Sequence, residues 1–124
     1  MKEVATKQAP GAIGPYSQAI EANGFIFVSG QLPIDPATGA FAGDDIQSQT
    51  KQALLNAKAI LEEAGSGMHK VCKTTVFLAD IKEFADMNEV YGTFFESPCP
   101  ARAAFEVAEL PKGAMVEIEM IAVK

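Results

Sequence analysis

Two stretches near the C-terminus decide the fold: Pro-Ala-Arg-Ala-Ala-Phe-Glu-Val at residues 100–107 and Val-Glu-Ile-Glu-Met-Ile-Ala-Val at residues 116–123. Their apolar and β-branched content, bounded by turn residues, predicts two strands. The connection over residues 108–113 contains Pro111 and Gly113, which are typical of a turn. We therefore expect the chain to turn back here and the two strands to be neighbours.

Charged side chains occupy defined faces of these strands, because side chains alternate between the two faces of a sheet. Arg102 shares a face with Ala104, and Glu117 shares a face with Glu119. One guanidinium and one or two carboxylates on neighbouring strands can bind a small anion and manage a proton beside it. The alternative is a surface ion pair between Arg102 and Glu117, which contributes little to stability. The strand pattern alone favours that alternative.

Composition predicts one globular domain that spans residues 1–124. The chain is 48% hydrophobic and has a formal net charge of −6, which argues against nucleic acid or an anionic membrane surface as a partner. No run approaches the roughly 18 apolar residues of a membrane span. The N-terminus lacks the apolar core of a signal peptide, so a cytoplasmic protein is expected. Cys72 and Cys99 fit no metal-ligand spacing and are expected to be free thiols.

The rest of the chain predicts further strands and two amphipathic helices. Asn23-Gly24 between two strand-like runs indicates a tight hairpin, because both turn positions need positive φ. In the strand at 71–79, Cys72 alternates with Thr74 and Val76 and is predicted to be a small core residue. The predicted strands cover residues 2–6, 16–22, 25–30 and 71–79. The first predicted helix is capped by Asp44 or Asp45, runs to about Ala64 and is ended by Gly65. The second follows a capping box at Asp80 and Glu83, carries core residues from Phe84 to Phe95, and is ended by Pro98 and Pro100.

This order of elements predicts an α+β fold, a single-domain mixed β-sheet with two helices on one face. Strand–helix–strand units imply right-handed parallel crossovers, and the hairpins add antiparallel pairs. Several strands, such as the one at 25–28, are apolar on both faces. Soluble monomers avoid a large exposed apolar face, so a homo-oligomer that packs these second faces together is expected.

Five motifs lie along the chain: Ala-Ile-Gly-Pro-Tyr-Ser-Gln-Ala at residues 12–19, Val-Ser-Gly-Gln-Leu-Pro at 28–33, Lys-Thr-Thr-Val-Phe-Leu at 73–78, Pro-Ala-Arg at 100–102 and Leu-Pro-Lys-Gly-Ala-Met-Val-Glu-Ile-Glu at 110–119. Together, in register, they resemble the Rid family of YjgF-type reactive-intermediate deaminases over essentially the whole chain. The resemblance implies a chorismate-mutase-like fold and a homotrimer with ligand clefts between subunits. It also implies hydrolysis of 2-imino acids to 2-keto acids and ammonia, with neither metal nor organic cofactor.

The same resemblance implies the roles of individual residues. Arg102 is similar to the family arginine that holds the substrate carboxylate, and Glu117 to the carboxylate that works with the attacking water. The remaining implied pocket residues are Tyr16, Ser29, Gly30, Asn88, Tyr91 and Ala104. At Ala104 the chain departs from many members of the deaminase branch, which carry Cys there. His69, the only histidine, is predicted to lie on the surface, and Ser29 has no histidine partner that would make it a nucleophile.

Three functions remain open from the sequence. The first is an enamine or imine deaminase acting on 2-iminobutanoate and 2-iminopropanoate. The second is a binding or regulatory protein that holds keto acids or other small carboxylates in the same cleft without turnover. The third is a chorismate-mutase-type reaction on a shared fold, for which few cationic residues lie near Arg102 in the sequence.

Overall fold

An Asn-Gly hairpin begins the sheet. Asn23 and Gly24 both have positive φ, 52° and 79°, as the predicted two-residue turn requires. They join β2 (Ala19–Ala22) to β3 (Phe25–Gln31), and β1 (Lys2–Val4) adds an antiparallel strand beside β2. The structure, a computed structural model, describes all residues from Met1 to Lys124.

The six strands form one mixed sheet in the order β1-β2-β3-β6-β4-β5. The remaining elements are α1 (Ile46–Glu63), β4 (Val71–Leu78), α2 (Phe84–Tyr91), β5 (Ala101–Glu106) and β6 (Val116–Val123). The pair β4–β5 is parallel and is joined through α2, whereas β6 is antiparallel to both β3 and β4. The predicted α+β class and the mixed sheet with two helices are therefore confirmed.

The helix α1 has the boundaries that its sequence predicts. Asp45 caps it and accepts a hydrogen bond of 2.8 Å from the Ser48 backbone N–H. Gly65 has a φ of 81° just past the last turn, where a left-handed residue ends a helix and glycine carries no steric penalty. The buried stripe of α1 packs on the sheet and comprises Ile46, Ala53, Leu54, Ala57, Ile60 and Leu61.

The sheet has one face covered by the helices and one open face. On β6, Val116, Ile118, Met120 and Ala122 are buried under the helices. The open face carries large apolar side chains. These are Phe25 and Phe27 on β3, Phe77 on β4, Phe105 on β5 and Val123 on β6.

The expectation that the last two strands are neighbours is wrong, because β4 lies between β5 and β6. The segment that connects β5 to β6 is hydrogen-bonded at both of its ends to the end of β4. The Val107 N–H donates to the Leu78 carbonyl at 2.9 Å, and the Ala79 N–H donates to the Met115 carbonyl at 3.0 Å. The parallel crossover through α2 places β5 at the outer edge of the sheet, and the connection then returns across the end of β4.

The placement of Cys72 in the core is also wrong. The pairing of β4 with β6 shifts register between Val71 and Lys73, which is a β-bulge at Cys72. The bulge keeps Val71 on the helix-covered face with Thr74 and turns Cys72 outward, where it is exposed. Alternation fails at this bulge, so Val71 and Cys72 each lie on the face opposite to the one that alternation with Thr74 predicts.

Candidate active site

The predicted site residues fall into two groups on opposite faces of the sheet. Arg102 on β5 pairs with Thr74, which is buried under the helices, so Arg102 lies on the helix-covered side. Glu117 on β6 pairs with Phe77 and lies on the open face. Two strand spacings of about 4.8 Å and three residues of about 3.3 Å separate the two positions, which gives a Cα–Cα distance of about 14 Å. One copy of the chain therefore does not bring Arg102 and Glu117 together.

The Arg102 side chain is held by the face of α2. Its guanidinium carbon lies 4.7 Å from the centroid of the Tyr91 ring and 5.3 Å from that of Phe84. Its Nη1 donates a hydrogen bond of 2.6 Å to Asn88 Oδ1. Phe84, Asn88 and Tyr91 follow each other at the spacing of one helix face, so a single stripe of α2 supports one cation.

Arg102 nevertheless remains exposed and forms no ion pair, since the one salt bridge in the chain joins Lys124 to Glu21. A guanidinium carries five N–H donors, and its planar fork matches a carboxylate. The arrangement fixes the direction of the side chain while leaving donors available. It is therefore suited to hold an external carboxylate.

Tyr91 contributes a neutral phenol to this group. Burial raises the pKa of Tyr91, although its hydrogen bond with Thr74 and the positive charge of Arg102 act in the opposite direction. The Tyr91 hydroxyl lies 2.7 Å from Thr74 Oγ1. The hydroxyl is thus satisfied inside the protein, and what Tyr91 offers Arg102 is its ring. Ala104, two residues along β5, is half-buried on the same side of the sheet.

The second group lines a cleft of about 750 Å³ beside β3 and β6. Four of the predicted residues border it: Tyr16, Ser29, Gly30 and Glu117. The β3–β6 register shifts between Val28 and Gln31, so β3 has a bulge at Ser29 and Gly30, and both residues border the cleft beside Glu117. The bulge brings the backbone of Gly30 against the carboxylate of Glu117.

The absence of a Cβ at Gly30 permits this close approach. A Cβ on Gly30 would lie 2.9 Å from Glu117 Cδ and even closer to its Oε2, which is shorter than real Cβ contacts allow. Any larger side chain would displace the Glu117 carboxylate. The structural reason for glycine at this position is therefore contact with the charged residue of the cleft.

Glu117 is half-buried, and its pKa is raised above the ordinary value. Burial is the main cause, and the negative charge of Glu119 on the same face adds to it. The carboxyl group therefore holds its proton to higher pH than an exposed glutamate. A raised pKa brings such a group closer to the range in which it can exchange a proton at neutral pH.

Ser29 and Tyr16 shape the cleft through hydrogen bonds of their own. Ser29 Oγ donates to the Ser17 carbonyl at 2.6 Å, so its hydroxyl ties β3 to the segment before β2. The Tyr16 hydroxyl accepts a hydrogen bond of 3.3 Å from the Ile13 N–H, and its side chain is 52% exposed at the cleft. These contacts agree with a wall of the cleft and give Ser29 no base that would activate it as a nucleophile.

Three buried amide side chains anchor the loops that border the cleft. The Gln18 amide donates to the carbonyls of Ala9 and Pro10 and holds the loop before β2. Asn56 donates to the carbonyls of Leu32 and Ile34 at 3.1 and 2.9 Å. Gln49 accepts a hydrogen bond of 2.8 Å from the Met115 N–H and so holds the segment before β6.

Two residues of these groups, Phe84 and Lys112, were not among the predicted site residues. Phe84 was expected only as a core residue, although its helical spacing with Asn88 and Tyr91 would have grouped all three under Arg102. Lys112 borders the Glu117 cleft, and its backbone has a left-handed conformation with φ 58° and ψ 19°. No sequence signal identifies Lys112, because a lysine does not favour that conformation. His69 lies exposed on the surface, as expected.

The chain has no cluster of three or more His, Cys, Asp or Glu side chains placed to hold a metal ion. None of its helices combines the length and the apolar character that a membrane crossing needs.

Comparison with known proteins identifies the family of the chain. The model of the family described as Endoribonuclease L-PSP matches residues 6–124. The chain belongs to this family, which is the YjgF/RutC/Rid family of the sequence resemblance. A RutC family protein of Pyrococcus horikoshii is 55% identical to this L-PSP family member, over 100% of this chain and 99% of that protein.

Two further relatives bear on function. The human protein named 2-iminobutanoate/2-iminopropanoate deaminase is 48% identical, with 98% of this chain and 88% of that protein covered. The crystal structure of E. coli TdcF with bound serine superposes with a TM-score of 0.94 at 44% identity, covering 100% of this chain and 99% of that one. The fold of this L-PSP family member is thus that of the solved structures of its family.

Proposed function

We propose that the protein hydrolyses small 2-imino acids, such as 2-iminobutanoate and 2-iminopropanoate, to 2-keto acids and ammonia. The observation that carries the proposal is a divided site. An unpaired, preoriented guanidinium at Arg102 and a half-buried carboxyl group of raised pKa at Glu117 face opposite sides of the sheet. Relatives that are 48% identical are named for this activity.

We further propose that the active unit is a homotrimer in which each cleft joins Arg102 of one copy to Glu117 of the next. The open face of the sheet supports this assembly, since Phe25, Phe27 and Phe105 are 41–45% exposed on it. Burying such a face against other copies removes apolar surface from water. A head-to-tail ring of three copies repeats one contact three times and yields three equivalent clefts.

Arg102 would bind the substrate carboxylate. A guanidinium holds a carboxylate through two parallel hydrogen bonds and cannot lose its charge near neutral pH. Because the rings of Tyr91 and Phe84 and the amide of Asn88 already fix its direction, little side-chain entropy is lost on binding. A substrate carboxylate bound to Arg102 would then place the reacting C=N carbon opposite Glu117 of the next copy.

Glu117 would transfer the protons of the hydrolysis as a general base and then a general acid. Water adds to the C=N carbon, its oxygen becomes the keto oxygen, and its two protons leave with the nitrogen as ammonia. Glu117 takes a proton from the attacking water and returns it to the nitrogen, so no proton is gained or lost overall. A raised pKa suits this exchange at neutral pH. Tyr16 and the Ser29–Gly30 bulge enclose the substrate beside Glu117, and no metal or organic cofactor takes part in these steps.

A coupled assay tests the proposal. A pyridoxal-phosphate threonine dehydratase generates 2-iminobutanoate, and the release of 2-ketobutanoate is followed in the presence and absence of the protein. Faster release that scales with protein concentration and disappears in Glu117→Gln is expected. Release at the buffer rate, under conditions in which the dehydratase is not limiting, would refute the proposal.

The second candidate is binding without turnover, and one observation favours it: the similar E. coli protein TdcF was crystallised with bound serine, a small carboxylate. Binding of 2-ketobutanoate with no acceleration in the coupled assay would support this candidate. RNA hydrolysis, which the description of the family model suggests, is not proposed, because a net charge of −6 disfavours binding to a polyanion.

A further inference from the structure

Lys112 has an unusual backbone conformation for its residue type. Two residues other than glycine have positive φ, Asn23 and Lys112. Asn23 sits in a two-residue hairpin turn that favours asparagine. Lys112 has no comparable local preference, and its position between Pro111 and Gly113 would be better suited to asparagine or glycine. Residues held in such conformations are often found at functional sites, so the lysine calls for a reason outside the turn.

That reason lies in the cleft that Lys112 borders. Lys112 is the only cationic residue among those that line the Glu117 cleft, and Glu117 is the only carboxylate. Lys112 forms no ion pair there. Burial and Glu119 determine the direction in which the pKa of Glu117 moves, and no positive charge opposes them. The positive charge of Lys112 is therefore not used by Glu117.

No other carboxylate neutralises Lys112. Asp44 borders the neighbouring surface depression together with Lys112, yet the only ion pair of the chain joins Lys124 and Glu21. Lys112 is exposed and carries its charge at the edge of the cleft. The protein as a whole has a net charge of −6, which repels anions, so one free cation changes the local potential where a ligand enters.

We propose that Lys112 recruits anionic ligands to the Glu117 cleft and favours 2-imino and 2-keto acids that carry a second carboxylate on the side chain. The inference rests on the proposed function, because it takes this cleft to be where the substrate binds. Electrostatic attraction scales with the charge of the ligand, so the contribution of Lys112 to binding, on a logarithmic scale, doubles from a monoanion to a dianion.

Equilibrium binding tests the role of Lys112 separately from catalysis. The affinities of the assembled wild-type protein and its variants for 2-ketobutanoate, a monoanion, and 2-ketoglutarate, a dianion, are measured by isothermal titration calorimetry. Lys112→Asn removes the charge and accepts the left-handed backbone. Lys112→Arg keeps the charge, and Lys51→Gln removes an exposed lysine of α1 that does not border the cleft.

At low ionic strength we expect Lys112→Asn to weaken 2-ketobutanoate binding about threefold and 2-ketoglutarate binding about tenfold. Lys112→Arg and Lys51→Gln should bind both as the wild type does. The difference should vanish in 1 M salt, where the screening length is about 3 Å. The melting temperature of Lys112→Asn should not fall below that of the wild type, because asparagine relieves the backbone conformation.

Equal affinities of Lys112→Asn and wild type for both ligands would overturn the inference. An equal loss for both that persists in 1 M salt and comes with a lower melting temperature would also overturn it, since that pattern indicates a structural role. The proposed deaminase activity and the proposed role of Lys112 are refuted by different results. Charge-dependent binding without faster imine hydrolysis would refute the deaminase and leave the role of Lys112 intact, whereas hydrolysis with binding independent of Lys112 would do the reverse.

Discussion

The surroundings of Arg102 and of Glu117 differ in how they position a charged group. Arg102 is positioned by side chains, because two rings and one amide from α2 hold its guanidinium beside the edge strand β5. Glu117, on the central strand β6, is positioned by backbone, because a bulge in β3 brings the backbone of Gly30 against its carboxylate. The cation is fixed in direction yet exposed, whereas the carboxyl group is half-buried and has a shifted pKa.

This difference indicates separate tasks. An exposed, always-charged group with free donors is suited to binding, and a partly desolvated carboxyl group is suited to proton exchange. Substitutions in the two regions should therefore fail in different ways, one in affinity and the other in turnover.

The largest effect is expected at Glu117. Glu117→Gln keeps the size and the hydrogen-bond acceptor but cannot exchange a proton, so turnover should fall by about 10²–10⁴-fold while 2-ketobutanoate still binds. The matched control is Glu119→Gln, which lies on the same face two residues away and should retain most of the activity. Rates from the coupled assay, with melting temperatures for folding, test the pair. A folded but inactive Glu119→Gln beside a fully active Glu117→Gln would reverse the assignment of the two carboxylates.

Arg102 should give the next largest effect, and it should appear in binding. Loss of a charged hydrogen-bonding partner costs about 1.5–3 kcal/mol, so Arg102→Ala should weaken keto-acid binding and lower kcat/KM roughly ten- to a hundredfold. Arg102→Lys should not restore either, because an ammonium lacks the planar fork and the stacking on Tyr91 and Phe84. Unchanged affinity in Arg102→Ala would mean that the residue only packs against α2.

Mixing the two impaired variants, assayed at a substrate concentration well below KM, tests whether the two regions meet across subunits. If each cleft takes Arg102 from one copy and Glu117 from the next, every mixed trimer of Arg102→Ala and Glu117→Gln chains contains one intact cleft. An equal mixture, unfolded and refolded together, should then recover about a quarter of wild-type activity. Each variant refolded alone is the control. A mixture no more active than its parents, with exchange verified by mass, would contradict a shared cleft.

The smallest effect concerns the pH dependence of stability. The pKa of Glu117 is raised in the folded state, so the folded chain binds this proton more tightly than the unfolded chain. Raising the pH from the usual value of 4.5 through the raised pKa therefore destabilises the fold. Glu117→Gln removes that penalty and should melt above wild type at neutral pH, with the gain disappearing below pH 4.5.

The control is Glu109→Gln, which changes an exposed glutamate outside the cleft. All melting curves are recorded at one protein concentration, because the stability of an oligomer depends on it. A gain in melting temperature for Glu117→Gln that is the same at pH 4 and pH 8 would show that the protonation of Glu117 does not affect the stability of the fold.

Most secondary structure was predictable because its signals are local. The Asn-Gly turn, the cap at Asp44 or Asp45 and the Gly65 stop each depend on the conformational preference of one or two residues. The structure confirms the turn and the stop and places the cap at Asp45. Which residues form the functional site stays a prediction, whereas their arrangement in the fold was not predictable. Arg102 and Glu117 were expected on neighbouring strands of one copy, and their separation follows from strand order, which no single strand encodes.

By itself, the sequence determined which segments become strands and helices, which faces are apolar, and which residues carry charge beside them. Alternation and helical spacing are properties of a few consecutive residues, so they can be read without knowing the partner. The tertiary structure decided that β4 enters between β5 and β6, that bulges turn Cys72 outward and bring Gly30 to Glu117, and that Lys112 is left-handed at the cleft. These features depend on pairings between residues distant in the chain, and the energy of a pairing depends on both partners together.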